Sequence, residues 1–200
     1  MNASEYSERN KLAVSIVKLV SRVVLSPFFK MNIRGIDNIP EKGSFVLLPK
    51  HQRWEDIPLI AISIKRPLYF VAKKELFDNV LSKKFISMLG GLPLDRSRPA
   101  RSRSTYLKLL NKLSEGEGVV VFPEGTYYKD QVGPGHEGLV RMLLSNSDTL
   151  IIPAGIRYRR EKSRMEARII IGKSVQRTDF VSVKELFSHV MAQIAFLSGC

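Results

Sequence analysis

The sequence predicts an α/β fold: a single domain with a mainly parallel central sheet flanked by helices, preceded by an N-terminal amphipathic helical segment. Short apolar runs rich in β-branched residues alternate along the chain with segments of helical periodicity, and that alternation is the signature of strands joined by helical crossovers. The chain has 200 residues, enough for one hydrophobic core and little more. No internal repeat, low-complexity tract or long linker divides it, so one domain is the economical organisation: an interface segment over residues 1–30 and the domain proper over 31–200.

The first helix is expected from about Glu8 to Leu25, ending at Ser26-Pro27. Lys11, Ser15, Lys18 and Arg22 recur at helical spacing and form a narrow polar stripe, while Leu12, Ile16, Leu19, Val20, Val23 and Val24 cover most of the remaining surface. Lys18, Arg22 and Pro27 interrupt the apolar stretch, which is therefore not a membrane span. A helix lying in a lipid interface fits this pattern. A terminal helix docked on the protein core fits it equally well.

Met31 to Arg34 reads as a short strand, and the turn-rich GIDNIPEKG leads to the buried strand Phe45–Pro49, followed at once by HQRWED. Pro58 suits the first turn of a helix reaching Ile64. Further strands are expected at 68–72, 92–94 and 118–122, with helical segments at 74–77, 81–89 and 102–113, the last carrying Leu107, Leu110 and Leu113 on one side. Gly133-Pro134-Gly135 marks a flexible loop before a helix over 137–144. Strands over 150–156 and 167–171 and an amphipathic helix over 183–197 complete the chain.

Charge narrows the partners. Thirty-two Lys and Arg against 19 Asp and Glu leave a net charge of +13, which implies attraction to nucleic acid, a phospholipid surface or a phosphorylated substrate. Nucleic acid is disfavoured, because the aromatic residues are few and are not interleaved with basic ones as a stacking platform requires. The single cysteine, Cys200, excludes an intrachain disulfide and lacks the scaffold of a nucleophile. His136 and His189 have no partners at metal-ligand spacing, so no metal site is expected.

His51 and Asp56 are the sharpest chemical pair. A neutral imidazole takes a proton at one ring nitrogen when a carboxylate holds the other. Five residues spanning a strand end and a helix start can bring the two together. Alone, a His-x4-Asp spacing is weak. Here it sits in HQRWEDIPL and is followed, in order, by GGLPLDRSRP, VVVFPEGT and IIPAGI. These four blocks resemble the glycerolipid acyltransferase family that includes the lysophosphatidic acid (1-acylglycerol-3-phosphate) acyltransferases.

The resemblance implies roles position by position. His51 matches the general base and Asp56 its orienting acid. Arg96 matches an arginine that binds the acceptor's phosphate, for which a planar guanidinium is suited. Glu124, Gly125 and Thr126 match a block associated with glycerol phosphate, the glutamate accepting hydrogen bonds from glycerol hydroxyls. Pro153 shapes the wall of the acyl-donor site or is purely structural, and Lys73 is a further phosphate contact or a solvated lysine. The implied reaction moves a fatty acyl group from acyl-CoA or acyl carrier protein to the sn-2 hydroxyl of 1-acylglycerol 3-phosphate, with no metal or cofactor. Glycerol 3-phosphate, another lysophospholipid or a glycolipid precursor are alternative acceptors. An inactive lipid-binding relative is disfavoured because both catalytic residues are present.

The expected location is the cytoplasmic face of a membrane, as a peripheral or monotopic protein, and the resemblance tips the N-terminal helix toward the interface. The chain also departs from the family pattern. Lys50 and Arg53 stand where Asn and Ser are frequent, and Tyr127-Tyr128 follows EGT where Arg-Ser is frequent. Extra cations beside His51 would lower its pKa or add phosphate affinity.

Overall fold

The computed structural model of the chain describes residues 9–95, 102–143 and 149–200. The first helix, α1 (Lys11–Leu25), starts where the Asn10 side chain accepts the Ala13 amide, and it stops before Pro27. Seven strands follow: β1 (Phe29–Arg34), β2 (Phe45–Pro49), β3 (Leu68–Lys73), β4 (Gly91–Leu94), β5 (Gly118–Val120), β6 (Leu150–Glu161) and β7 (Arg164–Ile171). Five further helices are α2 (Asp56–Ser63), α3 (Val80–Met88), α4 (Arg103–Ser114), α5 (Glu137–Leu143) and α6 (Val183–Ser198). The first two residues of β1, Phe29 and Lys30, fall inside the segment assigned above to the N-terminal piece.

The strands form one sheet in the order β1-β7-β6-β2-β5-β3-β4. All neighbours are parallel except β6 and β7, which form an antiparallel hairpin through Lys162 and Ser163. Lys162 takes a left-handed conformation (φ 49°) to make that tight turn. The sequence marks the two strands but not the hairpin, because the exposed half of β6 is dominated by arginines.

The central strands are apolar on both faces, as strands covered on two sides must be. Val46, Leu48, Val119, Val121 and Ile151 face a layer made by α4, α5 and α6, with Leu109, Leu143 and Val190 in its core. Phe45, Leu47, Val120, Ile152 and Ala154 face α2, through Leu59, Ile60 and Ile62. α6 lies close on β6 because Gly155 has no side chain, since a Cβ there would collide with the Leu197 main chain. On α4 the buried positions are Thr105, Leu109 and Leu113. Leu107, expected on the inner side, is exposed, because the helix buries a different stripe from the one its leucine spacing implied.

α1 packs in an orientation its pattern left open. Lys18 Nζ donates to the carbonyls of Ile64 (2.7 Å), Lys65 (3.4 Å) and Arg66 (3.1 Å), and Arg22 donates to Ile62 O at 3.1 Å. Lys18 and Arg22 thus reach inward to carbonyls at the C-terminal end of α2, where cations are favoured, whereas Lys11 and Ser15 of the same stripe stay exposed. Burial, then the nearby Arg9 and Arg22, lowers the Lys18 pKa to about 8. Leu12, Ile16, Leu19, Val20, Val23 and Val24 are all left exposed. Among the described residues no helix is long and apolar enough to cross a membrane.

Gly155→Ala is expected to lower stability by roughly 1–3 kcal/mol, because α6 must shift off β6 to admit one methyl group. Urea unfolding monitored by circular dichroism measures it, and an unchanged midpoint would contradict the close packing described.

Candidate active site

The strands β2, β3, β4, β5 and β6 run in the same direction, so their carboxyl ends share one edge of the sheet, where α/β folds gather their chemistry. His51 stands two residues beyond β2, and Glu124 follows β5. Lys73 ends β3, and Asp95 follows β4. Arg96 lies outside the described residues.

His51 and Asp56 meet as the spacing predicts. Asp56 opens α2, and its Oδ2 lies 2.9 Å from His51 Nδ1. The same oxygen accepts the main-chain N–H groups of Gln52 (2.6 Å) and Arg53 (2.8 Å), which bend the loop back over the helix start. Its other oxygen accepts the Tyr158 hydroxyl at 2.6 Å. Asp56 is fully buried and its carboxylate is engaged at both oxygens, as a buried charge requires. The His51 ring stacks on Phe122 (centroids 4.0 Å apart) and meets the edge of Tyr127 at 4.5 Å. With Nδ1–H committed to Asp56, Nε2 is the nitrogen left to receive a proton.

The second feature is a buried ion pair. Lys50 Nζ lies 3.0 and 2.9 Å from the two carboxylate oxygens of Glu124, and both side chains are wholly inaccessible. Glu124 also accepts the His51 N–H at 2.9 Å and the Gly133 N–H at 2.9 Å. The four acceptor positions of a carboxylate are then filled. Lys50 donates in addition to the carbonyls of His51 (3.0 Å) and Tyr128 (2.6 Å).

This geometry corrects the reading of Glu124 as an acceptor of glycerol hydroxyls: its oxygens are spent on Lys50 and two main-chain amides. It also answers the question raised by Lys50 and Arg53. Lys50 is neutralised internally, and Arg53 is paired with Glu55 (3.3 Å) and packed over the Tyr158 ring (5.2 Å). The loop at Gly133, expected to be flexible, is pinned through the Gly133 amide.

Two adjoining cavities open beside these residues. One, of about 500 Å³, is polar and lined by Lys73, Glu75, Glu124, Thr126 and His136 among others. The other, of about 470 Å³, is mainly apolar, lined by Val71, Tyr106, Phe122, Leu139 and Met142 among others. Leu94, Gly125 and His136 border both. Gly125 holds a left-handed conformation (φ 70°) in the turn after β5, which accounts for glycine there. Lys73 and Thr126 are exposed at the polar rim.

Pro153 is absent from both linings. It sits inside β6 opposite Leu48, its carbonyl accepting the Gly172 N–H at 2.8 Å, which fits the structural one of the two roles considered for it. Among the described residues no group of three or more His, Cys, Asp or Glu could hold a metal ion.

The acyltransferase family profile matches residues 30–157, a span that contains His51, Asp56, Lys50 and Glu124 and stops just short of Tyr158. The chain belongs to this family. A 1-acyl-sn-glycerol-3-phosphate acyltransferase of Bacillus subtilis is 30% identical over 166 residues, covering 80% of each chain. The chloroplastic 1-acyl-sn-glycerol-3-phosphate acyltransferase LPAT1 of Arabidopsis thaliana is 32% identical over 61% of this chain, which spans only 34% of that protein's length. The crystal structure of the 1-acyl-sn-glycerophosphate acyltransferase PlsC from Thermotoga maritima shares the fold, with a TM-score of 0.74 at 22% identity over 90% of this chain and 76% of that one.

Tyr158 and Gln52 are the residues that reading the sequence missed. Tyr158 is in phase with Ile152, Ala154 and Ile156 on one face of β6, so period-two counting continued past the IIPAGI block would have placed it on the side of the sheet that α2 covers. Gln52 donates to Ile156 O at 2.5 Å and accepts the Asp130 amide at 3.0 Å, tying the base loop to β6 and to the loop after Tyr128. No sequence signal marks it.

Lys50→Met leaves Glu124 buried and uncompensated, and is expected to cost about 3–5 kcal/mol. Lys50→Met combined with Glu124→Leu should cost clearly less than the two single changes added together. Denaturant titration of the three variants measures the coupling, and strict additivity would exclude the pair as a unit.

Proposed function

We propose that this acyltransferase moves a fatty acyl group from a thioester donor, acyl-CoA or acyl carrier protein, to the sn-2 hydroxyl of 1-acylglycerol 3-phosphate, giving phosphatidic acid. The observation that carries the reading is the clamped His51–Asp56 pair: one ring nitrogen is fixed by a buried carboxylate, and among the described residues no Ser or Cys is bonded to the ring. That arrangement suits a general base for an incoming hydroxyl better than the partner of a protein nucleophile.

In this scheme His51 Nε2 takes the hydroxyl proton as the acceptor oxygen attacks the thioester carbonyl. The tetrahedral intermediate collapses, the carbon–sulfur bond breaks, and the departing thiolate receives the proton from Nε2. Asp56 stabilises the imidazolium while it exists. The apolar cavity behind Phe122 suits an acyl chain, and the polar one beside Lys73 and Thr126 suits a phosphorylated glycerol headgroup. The names of the Bacillus and Arabidopsis relatives support this acceptor.

A second acceptor class has a specific basis. The Lys50 ammonium is consumed by Glu124, and Tyr127 and Tyr128 replace the frequent Arg-Ser, so this chain has fewer cations for a phosphate than its sequence promised. A lyso-ornithine lipid O-acyltransferase of Brucella abortus, 25% identical over 103 residues, shows how far acceptors vary among relatives.

The membrane supplies an acceptor of this kind. α1 turns Lys18 and Arg22 to the end of α2 and presents its apolar face outward, flanked by exposed Phe28, as insertion at the cytoplasmic lipid surface requires. The excess positive charge of the whole chain supports attraction to anionic headgroups.

Thiol release from palmitoyl-CoA with lysophosphatidic acid is expected to fall about 10²–10⁴-fold in His51→Ala. Equal rates in wild type and variant would sink the mechanism, and a panel of acceptors assayed alongside distinguishes the two acceptor readings. Leu19→Glu with Val23→Glu should weaken binding to anionic phospholipid vesicles at least about tenfold. Both side chains are more than 60% exposed, so the fold should survive. Unchanged sedimentation with vesicles would remove α1 from the interface.

A further inference from the structure

Asp56 orients His51, and the question is what orients Asp56. The terminal torsion of an aspartate is broad and roughly two-fold, so covalent preference alone does not set the plane of the carboxylate. Hydrogen bonds must set it. Oδ2 gathers three donors, His51 Nδ1 and the Gln52 and Arg53 amides, all from the adjacent loop. Those donors hold one oxygen, and the other, equally buried, needs a donor of its own.

The contact at Oδ1 comes from a distant strand: the Tyr158 hydroxyl, 2.6 Å away and 102 positions along the chain. Tyr158 is itself fixed, with the edge of Phe29 on its ring (centroids 6.0 Å apart, planes at 62°) and the Arg53 guanidinium over it at 5.2 Å. Burial, then the charge and hydrogen bond of Asp56, push the phenol pKa well upward, so it stays a donor.

We propose that Tyr158 is a positioning residue for the His51 base, acting through Asp56: its hydroxyl locks the plane of the carboxylate and so the direction in which His51 Nε2 faces. The order Tyr158–Asp56–His51 joins the sixth strand to the end of the second, across the edge where the reaction takes place. The kinetic consequence rests on the acyl-transfer reading; the hydrogen-bond chain does not.

Tyr158→Phe removes one oxygen and keeps the ring between Phe29 and Arg53, so it should fold. The test compares wild type, Tyr158→Phe, Asp56→Asn and the double variant for thiol release from palmitoyl-CoA with lysophosphatidic acid. Proton NMR of the His51 Nδ1–H, identified by its absence in His51→Ala, is recorded on the same proteins. A charge-assisted hydrogen bond of this kind predicts a fall in kcat of about tenfold to hundredfold in Tyr158→Phe, with both KM values within about twofold. Adding Tyr158→Phe to Asp56→Asn should cost nothing further, and the Nδ1–H resonance should shift or broaden in the single variant. A kcat within about twofold of wild type, or the same fractional loss with and without Asp56, would overturn the proposal. If wild type itself shows no turnover, the acyl-transfer reading fails, and an Nδ1–H resonance unchanged by Tyr158→Phe would still overturn the positioning role.

Discussion

Two opposite charges taken out of water at the ends of neighbouring strands constrain everything around them. A buried carboxylate and ammonium are tolerable only when paired with good geometry and when their remaining lone pairs and protons find partners. Lys50 and Glu124 meet that requirement by recruiting main chain: the His51 amide and carbonyl, the Tyr128 carbonyl and the Gly133 amide. Each of those groups belongs to a loop at the carboxyl edge of the sheet. Satisfying the pair therefore fixes the loop after β2, the turn after β5 and the approach to α5 together. The backbone of the base is held before its ring makes a single contact, and the ring then needs only Asp56 and its neighbours to be aimed.

The helix α2 connects that site to the outer surface. Its N-terminus carries Asp56, where negative charge is favoured. Its C-terminal carbonyls receive Lys18 and Arg22 from α1, where positive charge is favoured. One eight-residue helix thus uses its two ends for different purposes, orienting the base and anchoring the amphipathic helix. The inward reach of Lys18 and Arg22 explains why the apolar face of α1 is the exposed one: their side of the helix is the one with partners in the protein. An apolar band of that size in water asks for a partner of its own, and lipid suits it under the acyl-transfer reading.

Most of the fold was legible because it rests on local signals. Proline and glycine breaks bounded α1 and α3, a compact apolar run marked β2 to the residue, and a β-branched run marked β5 to within two residues. The base and its acid were legible too, because five positions at a strand-to-helix junction leave little freedom in how they meet. The rest depended on contacts distant in sequence. Nothing near Glu124 says that its partner is Lys50, 74 positions away, so the residue read as a ligand when it is a structural anchor. Nothing near Tyr158 says that its hydroxyl points at Asp56. The direction of α1 was undecidable because a cationic stripe serves lipid headgroups and helix-end carbonyls alike, and only the position of α2 chooses between them.

The same pairings change how the charge of the chain should be read. A net charge of +13 suggests a surplus of cations near the catalytic histidine, with Lys50 and Arg53 in the same motif. Both are committed elsewhere, one to Glu124 and the other to Glu55 and the Tyr158 ring. Recognition of an anionic acceptor, if phosphate is what this site takes, then falls to groups at the rim of the polar cavity, of which Lys73 is the described cation. A rim lysine is a mobile point charge and discriminates among headgroups less sharply than a buried fork of donors would. On the proposed acyl-transfer reading, transfer rests on the buried His51–Asp56–Tyr158 contacts and the choice of acceptor on exposed groups at the cavity rim, which places the capacity to change substrate where substitution disturbs the fold least.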